Sequence, residues 1–239
     1  MKRFWDDIIQ PILFEGNVKS IIEIGSEVGI NTVKILKYCS ENNAKLISID
    51  PSPQFDADNL ENEIDYFKMI KDFSLNALPE ICDYDAVLID GDHNWYTVYH
   101  ELKLIEKTAL KKGRFPITFL HDTDWPYGRR DMYYFPDTIP VEFRKKFAKK
   151  GMLPGYKSLI DAESDLDKKS KNKNLNNSLF ESGDKNGVLT AVEDFMKEAS
   201  LDLSFYNITS NNGLGILIQK DEKMDLFIQF AIQKFNNSL

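Results

Sequence analysis

Apolar residues in this chain fall into short unbroken runs, separated by segments where they recur every three or four positions. Five runs stand in the first half: Ser20-Ile-Ile-Glu-Ile-Gly25, Lys45-Leu-Ile-Ser-Ile-Asp50, Tyr66-Phe-Lys-Met-Ile70, Asp85-Ala-Val-Leu-Ile-Asp90 and Phe115-Pro-Ile-Thr-Phe-Leu120. Continuous apolar runs of this length predict strands buried on both faces. The intervening segments read as amphipathic helices. Phe4, Ile8, Ile9 and Leu13 form one stripe, its end clouded by Pro11; Val33, Ile35 and Leu36 form another within 31–39. Trp95, Val98, Leu102 and Ile105 define a third helix over about 94–107. Strands alternating with helices imply a parallel sheet of right-handed crossovers.

The rhythm breaks after Leu120. Residues 122–186 begin aromatic and basic, then turn polar through Asp161-Ala-Glu-Ser-Asp-Leu-Asp-Lys-Lys-Ser-Lys-Asn-Lys-Asn174. So few apolar residues predict a mobile surface loop or lid. A helix over about 187–199 follows, carried by Val188, Leu189, Val192 and Phe195. Strands at 201–208 and 214–219 flank Ser210-Asn-Asn-Gly213, a hairpin turn, and a last helix spans about 224–235. The expectation is one α/β domain over 1–239, with 122–186 as a substrate-binding insertion and an antiparallel hairpin at the end.

Composition narrows the partners. Thirty basic against 38 acidic residues leave a net charge of −8, which disfavours nucleic acid. Cys39 and Cys82 supply neither a disulfide framework nor a zinc spacing. No run approaches a bilayer span, and the first residues lack the apolar core of a signal peptide. A cytoplasmic protein acting on a small molecule or glycan, with no membrane partner, is the expectation; a homo-oligomer stays open.

Ligands of open α/β sheets bind beyond the carboxyl ends of the strands. The first such loop, Glu23-Ile-Gly25-Ser26-Glu27-Val-Gly29, lacks the middle glycine of a dinucleotide fingerprint. Glu27 there would repel a pyrophosphate, whereas Glu23 suits a ligand bearing an ammonium group. Asp50 ends the second strand, where a carboxylate can accept hydrogen bonds from ribose hydroxyls. Adenosine joined to an amino-acid cation, without pyrophosphate, describes S-adenosylmethionine.

On these residues the chain resembles the class I S-adenosylmethionine-dependent methyltransferases, whose first motif is acid-x-Gly-x-x-x-Gly. The resemblance implies an α/β, Rossmann-like doubly wound fold with a mostly parallel seven-stranded sheet. It implies cofactor contacts from Glu23, Gly25, Ser26, Gly29, Asp50 and Asp90, and adenine near Asp72-Phe73-Ser74 after the third strand.

Two further clusters carry chemistry: Asp90-Gly-Asp92-His93 after the fourth strand and His121-Asp122-Thr-Asp124 after the fifth. Carboxylates ending neighbouring strands lie close enough for Asp90 and Asp122, with Asp124 or His121, to share a Mg²⁺ ion. Such an ion lowers the pKa of a bound hydroxyl, and His93 then suits the role of general base, with His121 beside it. Blander roles compete: Asp90 and Asp92 as caps of the next helix, His121 as a structural histidine, Asp124 as a loop residue, His100 at the surface. The Leu-Ile-Asp-Gly-Asp-His and Phe-Leu-His-Asp segments resemble the macrocin-type sugar O-methyltransferases and cephalosporin-hydroxylase-like proteins. That likeness implies O-methylation of a sugar or other polyol, with Asp90 and Asp122 on a metal and His93 as base. Thr123 stands where the metal-dependent members have a second acid or amide.

Within the insertion, Trp125, Tyr127, Tyr133 and Tyr134 suit stacking on a sugar face, and Arg129 and Arg130 suit an anionic group on the substrate. Alternatively these aromatics form a small core of their own, with the arginines paired to Asp131 and Asp137. Two other functions compete: a nucleotide-dependent oxidoreductase, disfavoured by Glu27, and a non-catalytic methyltransferase-like binding subunit.

Overall fold

A computed structural model describes residues 1–238. The chain opens with a continuous helical segment: a tight turn at Lys2–Phe4, a wide five-residue turn at Trp5–Ile9, then α1 (Gln10–Glu15). Pro11 therefore lies inside the segment and does not end it. It cannot donate a backbone hydrogen bond, and the wide turn just before it, closed by Gln10 N–H on the Trp5 carbonyl, absorbs the loss.

The elements that follow are β1 (Ser20–Ile24), α2 (Ile30–Asn42), β2 (Lys45–Ile49), α3 (Ala57–Glu63), β3 (Phe67–Ile70) and α4 (Ser74–Ala77). Then come β4 (Ala86–Ile89), α5 (Trp95–Lys112) and β5 (Ile117–His121). The insertion holds β6 (Met132–Tyr133), β7 (Phe147–Ala148) and β8 (Asn176–Ser178), and the chain closes with α6 (Val188–Glu198), β9 (Leu203–Ile208), β10 (Leu214–Gln219) and α7 (Glu222–Asn236). The main sheet runs in the order β3-β2-β1-β4-β5-β10-β9, and β10 is antiparallel to both its neighbours. This is the predicted seven-stranded, mostly parallel sheet with its terminal hairpin.

Alternate strand residues feed two cores. Ile21, Leu46, Leu88 and Phe119 pack with Ile12, Ile35, Leu36 and Ile228 on one face. Ile22, Ile49, Val87, Ile89 and Leu120 pack with Val98, Leu102, Val192 and Phe195 on the other. Burial on both faces explains why the strand sequences do not alternate. The sheet register places Ile24 beside Ile89 and Ile89 beside Leu120. The residues just past these three strands thus form one row, and the turn of the β9–β10 hairpin, just before Leu214, joins them opposite His121.

The insertion departs from the expected loop. It forms a second sheet, β6-β8-β7, over a small core of Tyr127, Met132 and Met152 packed by Trp125, Leu159 and Leu175. Its polar residues are ordered by hydrogen bonds in place of apolar burial. Fully buried Asn177 donates to the carbonyls of Lys150 and Asn172 (2.9 and 2.8 Å), and Asn186 donates to those of Phe180 and Ser182 (3.1 and 2.8 Å). Among the described residues no helix is long and apolar enough to cross a membrane.

Candidate active site

A cavity of about 980 Å³ opens at the carboxyl ends of β1 to β5. One wall is the β1–α2 loop. Its backbone N–H groups at Ser26 and Glu27 both donate to Asp50 Oδ2 (2.9 Å each), and Ser52 N–H donates to Asp50 Oδ1 (2.8 Å). Asp50 thus shapes the loop while lining the cavity. Gly25 has φ +84°, and a Cβ there would run into the Asp90 carbonyl and the Gly91 Cα (2.6 Å), so only glycine lets the two loops lie against each other.

Glu23 does not face this cavity. It is buried beneath the loop and accepts hydrogen bonds from Ser48 Oγ (2.5 Å), Thr32 Oγ1 (2.7 Å) and Asn31 Nδ2 (3.1 Å). Burial pushes its carboxyl up to about 7 despite those donors. The expectation of a direct ammonium contact is corrected: β1 turns the Glu23 side chain toward α2, opposite to Ile22 and Ile24. Asp72 likewise turns back on its own loop, accepting from Phe73 N–H (2.6 Å) and Asn76 Nδ2 (3.0 Å), while Phe73 lines the cavity and meets Phe135 edge-on at 5.3 Å.

At the centre, two carboxylates face two imidazoles. His93 Nε2 lies 3.1 Å from Asp122 Oδ2 and 3.5 Å from Asp90 Oδ1. His121 Nδ1 lies 2.8 Å from Asp122 Oδ2 and 3.1 Å from Asp90 Oδ1. The Met1 nitrogen is 3.1 Å from Asp90 Oδ2. Burial alone would raise the Asp90 carboxyl, but His121 and His93 hold it well below the usual carboxylate range. Burial would also lower both imidazoles; the facing carboxylates override it, raising His93, with Asp122 the larger influence, and bringing His121 to about 9. Asp90, His93 and Asp122 each offer one donor atom, all within 4.8 Å of one another, a set that fits a divalent cation. Asp122 adopts a left-handed φ of +59°, which turns the chain sharply here.

That turn explains where the next residues go. Thr123 donates to Asn207 Oδ1 (2.6 Å), and Asp124 sits under the hairpin, its N–H on the Asn212 carbonyl (2.8 Å). Asp124 is therefore outside the donor cluster, correcting its place as a metal ligand. The helix-capping role falls to Asn94, whose side chain accepts from Thr97 N–H (2.9 Å), with Asp92 bonded to Asn94 and to Thr97 Oγ1. His100 is half-buried among Trp95, Tyr96, Tyr99 and Phe143, so only part of it reaches the surface.

Five expected substrate contacts lie elsewhere, among them fully buried Tyr133, whose hydroxyl donates to Asp131 (2.7 Å). Trp125 packs in the insertion core, and Tyr127 is buried, stacked parallel on His93 at 5.4 Å. Arg129 grips Glu193 on α6 through two hydrogen bonds of 2.6 Å. Arg130 is fully buried, donating to the carbonyls of Ser178 (2.6 Å) and Lys157 (2.8 Å), with Glu181 at 3.6 Å. Both cationic groups are engaged by protein partners, Arg129 in a partly exposed pair and Arg130 in the interior, and neither lines the cavity. The small-core reading of this segment is the better one, though the partners differ from Asp131 and Asp137. Tyr134 does line the cavity, its ring 6.0 Å from His93, beside Phe135.

Sequence reasoning missed three residues. Asp131 ties the insertion to two helix starts, accepting from Trp95 N–H and Gly187 N–H (2.7 Å each) and from the Tyr133 hydroxyl (2.7 Å). Burial raises it to about 6. Phe135 was hidden in an aromatic run. Glu101, in the middle of α5, falls outside the apolar stripe of that helix yet is fully buried.

Residues 22–123 match a family model described as a methyltransferase domain. Among solved structures, a Staphylococcus aureus protein described as a candidate caffeoyl-CoA O-methyltransferase is similar, with 15% identity, a TM-score of 0.50 and coverage of 89% of this chain and 81% of that one. The SAH-bound methyltransferase PaMTH1 of Podospora anserina gives 15% identity and a TM-score of 0.50, over 88% of this chain and 76% of that one. At this identity the likeness concerns the fold. No curated protein matches the chain.

Proposed function

We propose that this chain, whose fold and matched segment are those of the class I methyltransferases, moves a methyl group from S-adenosylmethionine to a hydroxyl of a small sugar-like or polyol acceptor. The observation that carries the reading is the joining, in one cavity, of the Asp50-anchored glycine loop and the Asp90–His93–His121–Asp122 cluster. About 980 Å³ is at the upper end for a small-molecule site and leaves room for cofactor and acceptor together.

The residues present fit the cofactor. Asp50 Oδ1 carries one hydrogen bond and retains acceptor capacity for a ribose hydroxyl, and Phe73 offers an apolar face past β3. S-adenosylmethionine bound there supplies an electrophilic methyl group. His93 Nε2, the ring nitrogen that faces the cluster while Nδ1 is buried behind it, takes the proton of the acceptor hydroxyl as that oxygen attacks, and Asp122 and Asp90 beside it stabilise the imidazolium so formed. Asp90 and Asp122 would also hold a divalent cation, with His121 Nδ1, 3.1 and 2.8 Å from them, as third ligand in place of His93, which a role as base requires to stay free; such an ion would supply charge that lowers the pKa of the acceptor hydroxyl. Tyr134 and Phe135, on the cavity wall, suit the apolar face of a sugar ring.

Calorimetry with S-adenosylhomocysteine tests the first step: binding is expected, with none for NAD. NAD binding in the absence of S-adenosylhomocysteine binding overturns the reading. Conversion of isotope-labelled S-adenosylmethionine with a panel of sugars and polyols tests the second. Dialysis against EDTA should lower turnover, with Mg²⁺ or Mn²⁺ restoring it; unchanged turnover removes the metal from the scheme.

A further inference from the structure

We infer that Glu101 is a positioning residue for the purine end of the cofactor: as a neutral carboxylic acid it donates its proton to Ser74 Oγ, which frees the Ser74 hydroxyl hydrogen to point into the cavity. The inference rests on the S-adenosylmethionine reading and concerns the part of the site beyond β3.

Glu101 has no solvent exposure, and its Oε1 lies 2.5 Å from Ser74 Oγ. Its other oxygen, Oε2, is buried without any hydrogen-bond partner. A buried ionised carboxylate with one oxygen bare is strongly disfavoured, whereas a neutral acid leaves only a weak acceptor unsatisfied. The position of the proton follows from the same geometry. Oε2 has no acceptor near it, so a proton there would bond to nothing; on Oε1 it bonds to Ser74. The charged groups acting on Glu101 are Asp92, which disfavours ionisation, and His93, which favours it, both in the loop before α5; α4 contributes only uncharged Ser74. Burial outweighs all of them and pushes Glu101 up to about 8.

Ser74 lines the cavity next to Phe73. A hydroxyl has one hydrogen and two lone pairs. If Glu101 supplies a proton to one lone pair, the Ser74 hydrogen is available to a ring nitrogen of adenine, an acceptor. If Glu101 ionises, it can only accept, Ser74 must donate to it, and the cavity loses its donor. The acid therefore sets the polarity of a group it never shares with the ligand.

The experiment is calorimetric titration of the purified protein with S-adenosylhomocysteine from pH 6 to pH 9.5, comparing wild type, Glu101→Gln and Ser74→Ala. Loss of one hydrogen bond predicts about a fivefold weakening of wild-type binding as Glu101 ionises. Glutamine keeps a permanent donor for Ser74, so Glu101→Gln should bind as wild type at pH 7 and not show that step. Ser74→Ala should bind about fivefold weaker at pH 7 and converge with wild type at high pH. Other groups titrate in this range, so the difference between variant profiles is the readout. A Glu101→Gln profile superimposable on wild type overturns the inference, as does wild-type affinity in Ser74→Ala at pH 7; the serine variant carries the test if the glutamine variant does not fold. Absence of binding by the wild type at every pH sinks the cofactor reading itself, a distinct outcome.

Discussion

Two imidazoles wedged between two carboxylates make the site sensitive to pH in a definite direction. The folded pKa of His121, about 9, lies above its unfolded value of about 6.5. Its pairing with Asp90 and Asp122 therefore contributes stability that is full below about pH 6.5 and is lost as pH rises through about 9. Thermal melts in EDTA should show wild type above His121→Gln at pH 6, with the gap closing by pH 9.5; a gap that widens with pH contradicts the assignment. His93 is raised in the same sense, so its base form appears only above the ordinary imidazole range, and metal-free turnover should climb with pH beyond 7. Roles separate kinetically as well. Asp50→Ala removes both the loop anchor and the proposed ribose acceptor and should weaken S-adenosylhomocysteine binding at least tenfold, whereas His93→Ala should lower kcat by about 10²–10⁴ with binding kept. Equal binding losses in both variants would undo this division. At this scale the sequence was legible wherever an acid or histidine ends a strand, because topology alone brings those positions together. It was not legible for Glu23 or Asp72, whose backbone lies at the site while the side chain turns away to satisfy neighbouring donors.

Among the elements, the strands were readable because burial on both faces leaves an unbroken apolar signature. The short α3 and α4 carry no such stripe. Asp56 starts α3 by accepting from Asn59 N–H, a local hydrogen bond that periodicity does not register. Helix α5 runs past its expected end at residue 107 to Lys112, where Gly113 at φ +75° closes it. A demanding junction is the crossing of the β1–α2 and β4–α5 loops at Gly25. Gly25→Ala must adopt a left-handed conformation and displace the backbone of Asp90 and Gly91, at a cost of about 2–4 kcal/mol. Urea denaturation measures that cost, and loss of S-adenosylhomocysteine binding should accompany it because the same displacement moves Asp90. A variant as stable as wild type would mean that the loops separate freely.

For the whole molecule, the net charge of −8 takes on a location: several of the acids lie at one edge of the sheet, where Asp50, Asp90, Asp92 and Asp122 line a single cavity. The insertion is the part that composition misjudged, since low apolar content there reflects a scaffold of buried amides and one buried guanidinium. Arg129 and Arg130, adjacent in sequence, are expected to behave oppositely. Arg129→Ala breaks a partly exposed ion pair with Glu193 and should cost under about 1 kcal/mol. Arg130→Met strands the Ser178 and Lys157 carbonyls and should cost about 2–4 kcal/mol, seen as faster proteolysis within 140–186. Equal protease resistance in the two variants would show that the guanidinium is dispensable.

The stacking of Tyr127 on His93 has a mechanical meaning. The phenol ring backs the imidazole across a parallel face, and its hydroxyl is clamped by Asn172 (2.8 Å) and Asn177 (3.2 Å) from the polar end of the insertion. The imidazole therefore has a backstop, and the stiffness of that backstop is set by two asparagines more than forty residues further along the chain. The proton acceptor proposed for this position needs a fixed aim as much as a suitable pKa. On that reading the insertion, whatever else it contacts, is the mounting that holds that aim.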